Sequence, residues 1–352
     1  MDYAKEIEDL VNLILKEGAS DLHLSTGRQP IIRSAGNLIP LMKKPVLTEN
    51  DMKGFSDIFL SPANKELLEI ERDVDFSYNL THARFRGNVY YRQGVLSIAL
   101  RLIPKMIRTL QELNLPPILE TFTRKPQGFF LVVGPIGQGK TTTLATMVEM
   151  INQTRTEHIL TIEDPIEYIF ESKKSIIDQR EVRLDTPNFH NALTAMFRED
   201  IDVAMVGEMR DTTTIATAVT AAETGHLILS TLHTNNAAQT VDRIIDSFPS
   251  SQQDQIRVQL SGSLTGIFSQ RLIPRISGGL IPAYELLINN NAVSNLIRER
   301  RTHELNTVIE TSSQEGMIDM NRSLAELVRA GEITVESAYR NTLNPKTLER
   351  VI

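Results

Sequence analysis

The sequence predicts an α/β protein in which an α+β domain is followed by a domain built on a parallel sheet. The 352 residues are enough for about two domains of roughly 100–200 residues each. Short extended pieces separated by glycine and proline fill the first hundred residues, whereas longer apolar runs alternate with helical stretches after residue 117. Continuous apolar strands between helices are typical of a parallel sheet that is covered on both faces.

The composition excludes several classes of protein. With 41% hydrophobic and 23% charged residues, the chain resembles ordinary globular proteins and not disordered ones. Lys and Arg number 37 against 44 Asp and Glu, and the net charge of −7 argues against a protein that holds nucleic acid by bulk charge. The absence of cysteine excludes disulfides, thiolate zinc sites and cysteine nucleophiles. The mixed, acidic start and the lack of any apolar run near the ~20 residues that span a bilayer predict a cytoplasmic protein.

The amino-terminal domain is assigned to residues 1–103. Apolar residues at helical spacing predict a first helix that ends near Gly18; they are Ile7, Leu10, Val11, Ile14 and Leu15. A second helix opens at Ser61-Pro62. Extended pieces are expected at 21–24, 31–33, 38–41, 75–80, 83–92 and 95–102. The prolines and polar turn residues of 104–117 predict a linker.

The second domain is assigned to residues 118–275. Apolar runs predict strands at 129–133, 159–162, 203–206 and 227–232, with helices between them. Residues 276–352 are expected to form a mainly helical carboxy-terminal region, with turns at Gly278-Gly279 and Gly316.

A phosphate-binding motif follows the strand at 129–133. The motif GxxxxGK[ST] is matched by Gly134-Pro135-Ile136-Gly137-Gln138-Gly139-Lys140-Thr141, and a helical run begins at Thr142. A strand before the motif and a helix after it are the context that a P-loop requires. The alternative is a glycine-rich turn that only connects a strand to a helix.

The chemistry of a P-loop explains why these residue types occur together. Gly134, Gly137 and Gly139 allow the backbone angles that direct successive N–H groups toward one anion. The start of the helix adds its positive dipole end. Lys140 supplies a cation for the β- and γ-phosphates, and the hydroxyl of Thr141 can bind Mg²⁺. We therefore predict a nucleotide site over residues 134–142.

Carboxylates follow two of the other predicted strands. Glu208 comes just after the strand at 203–206, and Glu163, Asp164 and Glu167 follow the strand at 159–162. Groups at the carboxyl ends of parallel strands meet at the edge where α/β folds bind ligands. In one division of roles, Glu208 holds the metal and its waters while Glu167 orients the attacking water. Whether Glu163 or Glu167 polarises that water is left open, Asp164 is a further candidate metal ligand, and the alternative is that these acids cap helices.

Two histidines flank the strand at 227–232. His233 falls at its carboxyl end, where a neutral donor would lie near the γ-phosphate, and His226 is included among the candidate nucleotide contacts. The two residues are seven positions apart on one strand and face opposite sides, which argues against a shared metal site. A histidine at a strand end is more often an ordinary core or surface residue.

Four motifs in a fixed order resemble the secretion-ATPase superfamily, and most closely its type IV pilus retraction motors. The motifs occupy residues 134–141, 161–167 continuing to 178–182, 203–211 and 224–249. The likeness covers essentially the whole chain, beginning at Ser20-Asp21-Leu22-His23-Leu24. It implies a PAS-like amino-terminal domain, a RecA-like ATPase domain and a homohexamer that uses ATP and Mg²⁺. The nucleotide would then lie between the two domains, with help from a neighbouring subunit.

Two features favour the retraction branch of this superfamily. Pilus assembly and type II secretion ATPases resemble the same core but carry a four-cysteine zinc insertion, which this cysteine-free chain lacks, so no zinc is expected. Residues 292–299 are similar to the AIRNLIRE box of retraction motors but depart from it at Val293 and Ser294. The alternative for this box is an ordinary amphipathic helix packed on the core. Within the P-loop, Ile136, Gln138 and Thr141 also depart from the family pattern, at permissive positions or with the hydroxyl kept.

The resemblance also implies arginines of the amino-terminal domain that contact the nucleotide phosphates. Arg84, Arg86 and Arg101, on neighbouring strands, are the candidates. An arginine can neutralise the charge that develops on the γ-phosphate during phosphoryl transfer. The alternative is that they are exposed strand residues.

The function that the resemblance implies is an ATP-driven hexameric motor for pilus retraction. Such a motor would act on a pilus platform protein of the inner membrane, from a cytoplasmic, peripheral position, and a paralogous motor ATPase is a further candidate partner. An accessory ATPase and a type IV secretion ATPase remain alternatives. A nucleic-acid translocase is disfavoured by the net charge, the 5% aromatic content and the lack of a basic run.

Overall fold

The computed structural model describes residues 2–34, 36–80, 83–103, 106–209 and 211–352. The chain divides into two compact units. The first comprises residues 1–106 together with 165–169, and the second comprises 107–164 and 170–352. Within the described residues, no helix is both long enough and apolar enough to cross a membrane.

The first unit contains an antiparallel sheet and three helices in its described part. The helices are α1 (Tyr3–Lys16), α2 (Glu49–Phe59) and α3 (Pro62–Glu71). The strands are β1 (Ala19–Ser25), β2 (Ile31–Ser34), β3 (Asn37–Pro40), β4 (Asp73–Leu80), β5 (Ala83–Arg92) and β6 (Val95–Ile103). The strand order is β3-β2-β1-β6-β5-β4.

Helix α1 forms where the apolar spacing predicts it. Asp2 caps its first turn by accepting a hydrogen bond from the Lys5 N–H, and Ile7, Leu10 and Ile14 are buried. Helix α2 was not predicted, although a local signal for it exists. Thr48 and Asp51 form a reciprocal capping box at its start.

The two faces of the first sheet differ in character. Phe85 and Leu100 belong to the apolar core that packs against the helices. In the register of β5 and β6, Arg86 lies directly opposite Arg101. Because directly opposite residues share a face, these two arginines lie on the same side of the sheet.

The second unit contains a mixed sheet with helices. The strands are β7 (Gly128–Val133), β8 (His158–Glu163), β9 (Ile176–Glu181), β10 (Val203–Val206), β11 (Leu227–Leu232), β12 (Leu264–Pro274) and β13 (Leu280–Ile288). The helices are α4 (Leu119–Thr123), α5 (Lys140–Thr154), α6 (Phe189–Ala195), α7 (Thr212–Glu223), α8 (Ala237–Asp246), α9 (Gln253–Ser263), α10 (Asn291–Arg298), α11 (Leu305–Thr311), α12 (Met320–Arg329), α13 (Val335–Asn341) and α14 (Pro345–Val351). Short 3₁₀ turns lie at Met196–Arg198, Thr302–Glu304 and Ser313–Glu315.

The strand order of this sheet is β13-β12-β7-β11-β10-β8-β9. Neighbouring strands from β12 to β9 are parallel, whereas β13 pairs with β12 antiparallel. Every residue of β7, β10 and β11 is buried, as their continuous apolar sequences predict. The predicted α/β fold class is thereby confirmed.

The carboxy-terminal part of the sheet differs from the sequence-based expectation. Residues 276–352 were expected to be mainly helical, but β13 lies there. Gly278 and Gly279, both with positive φ, form the turn that joins β12 to β13. The turn was predicted, but the two strands beside it were not, so the boundary drawn at residue 275 falls inside a hairpin. The division into 1–103, 104–117, 118–275 and 276–352 otherwise stays a prediction.

Helix α10 contains residues 292–298 of the box, Glu299 caps its carboxyl end, and the helix packs on the core of the second unit. Val293, Leu296 and Ile297 are all buried and belong to its main apolar cluster. The Ser294 hydroxyl donates to the carbonyl of Ser261 on α9 at 2.9 Å. These contacts favour the interpretation of the box as a core helix.

Changing Ile297 to Ala tests this interpretation. The side chain is fully buried, so we expect a loss of about 2–5 kcal/mol in the free energy of unfolding, measured by urea denaturation. Asn295→Ala, an exposed change on the same helix, should stay within about 0.5 kcal/mol. An unchanged unfolding midpoint for Ile297→Ala would contradict the core role.

Candidate nucleotide-binding site

The P-loop lies between β7 and α5. Gly137 and Gly139 both have φ of 77°, and Gly139 is the residue before the first turn of α5. The Gly139 carbonyl accepts from the Thr143 N–H at 3.0 Å, so the helix is hydrogen-bonded from its first residue. Left-handed glycines ahead of a helix direct N–H groups toward an anion. The geometry therefore suits the phosphates of a nucleotide.

Glycine is required at position 134 because a neighbouring strand approaches the loop closely there. A Cβ atom at this position would lie 2.4 Å from the carbonyl oxygen of Gln270 on β12. That distance is shorter than any side chain tolerates, so the loop passes directly against β12 at its first residue. Gly134 also has φ of 147°.

Lys140 is buried at the base of the loop. Its Nζ donates to the carbonyls of Gly134 at 2.9 Å and Pro135 at 2.8 Å, and lies 3.2 Å from Nδ1 of His233. A buried cation needs such acceptors to offset its lost hydration. Because the ammonium group only donates, Nδ1 of His233 is the acceptor in this contact.

His233 lies between Lys140 and Glu208. Its Nε2 is 3.7 Å from Oε2 of Glu208, while its Nδ1 contacts Lys140 on the other side. With Nδ1 acting as acceptor, the neutral ring carries its proton on Nε2, the nitrogen that faces Glu208. The structure thus brings together three of the residues that the sequence singled out.

The order of the strands explains this grouping. The strands β7, β11, β10 and β8 are consecutive neighbours, and their carboxyl ends lead to the P-loop, His233, Glu208 and Glu163 respectively. With neighbouring strands about 4.8 Å apart, Glu208 follows a strand about 10 Å from β7, and Glu163 ends a strand about 14 Å away. Glu208 is therefore the nearer carboxylate to the phosphate loop.

Glu163 is a buried carboxylate with local partners. It is 3% exposed, and its Oε1 accepts from the Thr161 hydroxyl at 2.8 Å and lies 3.4 Å from Nε2 of Gln179. A Cβ atom on Gly207, the residue before Glu208, would contact Glu163 at 3.6–3.8 Å. These contacts place Glu163 beside the backbone that carries Glu208.

Asp164 and Glu167 have different surroundings. Asp164 lies 3.8 Å from Nη2 of Arg183, so the structure pairs this candidate metal ligand with an arginine. Glu167 belongs to the first unit, where its Oε1 is 3.5 Å from Nη1 of Arg86. Arg86 also lies 3.8 Å from Asp75.

The other two candidate arginines are held differently within the first unit. Arg84 is only 8% exposed and donates to the side chains of Asn79 at 2.8 Å and Ser77 at 3.2 Å. Arg101 donates from Nε to Asp21 at 2.9 Å, and its side chain is 71% exposed. Although burial opposes it, hydrogen bonds from Ser20 and Arg101 lower the pKa of Asp21 below its ordinary value.

His226 lies at the amino end of the parallel strands, opposite to the carboxyl end where the P-loop lies. It precedes β11, whereas the P-loop follows the carboxyl end of β7, its parallel neighbour. Its Nδ1 lies 3.0 Å from the carbonyl of Ala221, and Phe197 packs edge-on against its ring. Within one chain, the structure does not bring His226 to the residues of the site, because the two ends of a parallel strand lie on opposite edges.

One acid of the motif at 203–211 caps a helix. Asp211 precedes α7 and accepts from the Thr214 N–H at 2.8 Å. Although burial opposes it, hydrogen bonds from Thr213 and Thr214 lower the pKa of Asp211. Asp211, which was not among the four candidate acids, therefore acts as a helix cap.

The sequence analysis missed two buried polar residues near the site. Gln270 on β12 is 3% exposed and contacts the P-loop. Glu285 on β13 is 6% exposed and accepts from the Ala237 N–H at the start of α8, at 2.8 Å. Polar residues inside otherwise apolar strands were the available signal for both.

Glu285 has a strongly perturbed acidity. Burial raises the pKa of its carboxyl to about 7, and Asp319 adds to the rise, while the hydrogen bond from Ala237 and the charge of Arg271 oppose it. The carboxyl therefore changes its charge near neutral pH, at the amino end of α8.

The fold and the site together define a P-loop nucleoside triphosphatase. A family model described as "Type II/IV secretion system protein" matches residues 96–342. The type IV pilus retractation ATPase PilT of Pseudomonas aeruginosa is 41% identical over 342 residues, which cover 97% of this chain and 99% of that protein. The type IV pilus ATPase PilU of the same bacterium is 36% identical and covers 99% of this chain and 91% of its own length.

A solved structure agrees with these relatives. The crystal structure of the pilus retraction motor PilT with bound ADP has a TM-score of 0.91 and 45% sequence identity, over 97% of this chain and 98% of that one. The chain belongs to the type II/IV secretion system protein family. The resemblance to pilus retraction motors is confirmed by these comparisons.

Changing Glu285 to Gln tests whether the raised pKa of this buried carboxyl makes the stability of the fold depend on pH. Because the folded protein binds its proton more tightly than the unfolded chain, the wild type loses stability as pH rises from about 4.5 to about 7. Gln keeps an acceptor for the Ala237 N–H and stays neutral. We expect Glu285→Gln to be more stable than the wild type by about 1–3 kcal/mol at pH 8, and the gain to vanish near pH 4.5.

Urea denaturation at both pH values measures this difference. Glu310→Gln, at an exposed position, is the control and should show no such dependence. A Glu285→Gln variant that is less stable than the wild type at pH 8 would show that the ionised carboxylate is needed.

Proposed function

We propose that the protein is an ATP-hydrolysing motor that powers type IV pilus retraction as a homohexamer. The observation that carries this proposal is the row formed by Lys140, His233 and Glu208 beside the P-loop. The chain aligns over 97% of its length with a pilus retraction ATPase, so the proposal concerns the whole protein. The reaction is hydrolysis of ATP to ADP and phosphate.

The residues of the row divide the chemistry between them. The P-loop amides and Lys140 bind the β- and γ-phosphates. The oxygen atoms of Thr141 and Glu208 are donors of the kind that Mg²⁺ accepts from proteins, which usually provide one or two ligands besides the phosphates. When bound, Mg²⁺ neutralises charge on the β- and γ-phosphate oxygens. His233, with a proton on Nε2, is placed to report the state of the γ-phosphate to Glu208.

Two further acids bear on the attacking water. Of the two acids that the sequence left open for this role, we assign the orientation of the water to Glu167. We assign a supporting role to Glu163, which lies beside the backbone that carries Glu208. Glu167 is held by Arg86 in the structure, and that ion pair must change if the carboxylate is to accept a hydrogen bond from water. The pairing therefore makes the position of Glu167 dependent on Arg86.

We assign to Arg86 and Arg101 the stabilisation of the negative charge that develops on the γ-phosphate in the transition state. Their side chains are 39% and 71% exposed, whereas Arg84 is buried against Asn79 and Ser77. A guanidinium group stabilises the charge spread over the γ-phosphate oxygens. In the proposed hexamer, a neighbouring subunit supplies part of this charge.

Force arises in this proposal because ATP, ADP and the empty state bridge the two domains to different extents. The motion would act on a platform protein of the inner membrane, from the cytoplasmic face, so that pilin subunits leave the base of the filament. The similarity to PilU makes a paralogous ATPase a further candidate partner.

Lys140→Ala tests the P-loop assignment. Removal of the phosphate cation should abolish detectable hydrolysis in a Mg²⁺-dependent phosphate-release assay. Lys125→Ala is an exposed lysine control in the same unit and should keep wild-type turnover. Retained hydrolysis in Lys140→Ala would remove the assignment.

Glu167→Gln and Glu163→Gln together identify the acid that orients water. Loss of the acceptor should lower the turnover of Glu167→Gln by about 10²–10⁴-fold and leave ATP bound, as measured by single-turnover kinetics and nucleotide retention. Glu163→Gln, which keeps an acceptor for Thr161, should retain more activity. Normal turnover in Glu167→Gln beside a loss in Glu163→Gln would reverse the assignment.

A further inference from the structure

A buried glutamine on β12 is hydrogen-bonded at both ends of its side chain to the phosphate-loop region. Oε1 of Gln270 accepts from the Thr143 hydroxyl at 2.7 Å, and Nε2 donates to the carbonyl of Gln138 at 2.8 Å. Thr143 lies on the first turn of α5 and is 1% exposed. A buried carboxamide with both ends engaged has one preferred orientation. Gln270 therefore ties the loop and the following helix to one strand.

A second glutamine makes the reciprocal contact. Oε1 of Gln138, within the loop, accepts from the backbone N–H of Leu272 at 2.7 Å. Strand β7 ends at Val133, opposite Ser269, and β12 continues beyond that point. The side chain of Gln138 thus bonds to the part of β12 that extends past the end of β7.

The loop is consequently fixed at three places along its length. Gly134 lies against the Gln270 carbonyl, Gln138 bonds to β12 through both its backbone and its side chain, and Thr143 bonds to Gln270. We propose that Gln270 and Gln138 are positioning residues that hold the P-loop in its phosphate-binding shape. The proposal rests on the nucleotide site proposed above.

The expected consequence is a contribution to nucleotide affinity. A loop with left-handed glycines has many alternative conformations, and their loss on binding lowers affinity unless the loop is ordered beforehand. Hydrogen bonds of this kind change an equilibrium by about 2–10-fold each. Because ATP and its transition state use the same loop, the main effect falls on KM, and kcat falls by less than KM rises.

The test uses three variants that remove different bonds. Gln138→Met keeps the side-chain length but removes the acceptor for Leu272, Thr143→Val removes one donor, and Gln270→Met removes both side-chain bonds of Gln270. We expect each to raise the KM for ATP and the Kd for ADP by about 2–10-fold. Steady-state hydrolysis and calorimetric titration with ADP and Mg²⁺ measure these values on the full chain.

A double-mutant cycle provides the sharper test. Adding Thr143→Val to Gln270→Met should raise KM no further, because the bond between the two side chains is already absent. Gln255→Met, an exposed change on α9, is the control and should leave KM and kcat unchanged. A purely structural role would lower the melting temperature and the active fraction while KM stayed constant, and that result would overturn the proposal.

Failure of the nucleotide site itself has a different signature. If the wild-type chain bound no ADP and hydrolysed no ATP, the proposed function itself would be wrong, whatever the role of the glutamines. If the wild type bound and hydrolysed nucleotide while Gln138→Met and Thr143→Val matched its KM, only the positioning role would be wrong.

Discussion

The site depends on the order of four parallel strands. Since β7, β11, β10 and β8 are adjacent and point the same way, the groups after their carboxyl ends line one edge in that order. This arrangement puts His233 between the phosphate lysine and Glu208. If a further strand lay between β7 and β10, Lys140 and Glu208 would be about 4.8 Å farther apart, beyond the reach of a single histidine ring. The topology of the sheet is therefore the constraint behind the chemistry.

Within that row, the contact with Lys140 determines which ring nitrogen of the neutral His233 carries the proton. The ammonium group is satisfied by two carbonyls of its own loop and by Nδ1 of His233. A protonated Nδ1 would place two donors face to face, so the lysine favours the neutral histidine with its proton on Nε2. In the proposed function, Lys140 would move when it contacts a phosphate and this constraint on the ring would be lost. His233 would then respond to the occupancy of the P-loop.

Much of the second unit could be predicted from sequence because its signals are local. The P-loop is a contiguous motif, β7 and β10 are almost entirely apolar, and β11 is apolar except at Ser230 and Thr231. Strand β9 was missed because four of its six residues are polar, and the hairpin of β12 and β13 was recognised only at its turn. Gln270 could not be assigned a role because its partner Thr143 is 127 residues away, and nothing local to either residue indicates the contact.

The three candidate arginines of the first unit show that sequence spacing alone cannot distinguish their roles. From the sequence, all three are arginines on predicted strands, and spacing does not distinguish them. In the structure, Arg84 and Arg86 are two positions apart on β5, and Arg101 on β6 lies opposite Arg86. Their partners separate them. Arg84 is buried and donates to Asn79 and Ser77, whereas the partly exposed Arg86 and Arg101 pair with carboxylates. An arginine that is paired with a carboxylate can exchange it for a phosphate. Both groups accept hydrogen bonds through oxygen atoms from the same N–H groups of the guanidinium. Before Arg84 could contact a phosphate in this way, its buried side chain would have to leave Asn79 and Ser77.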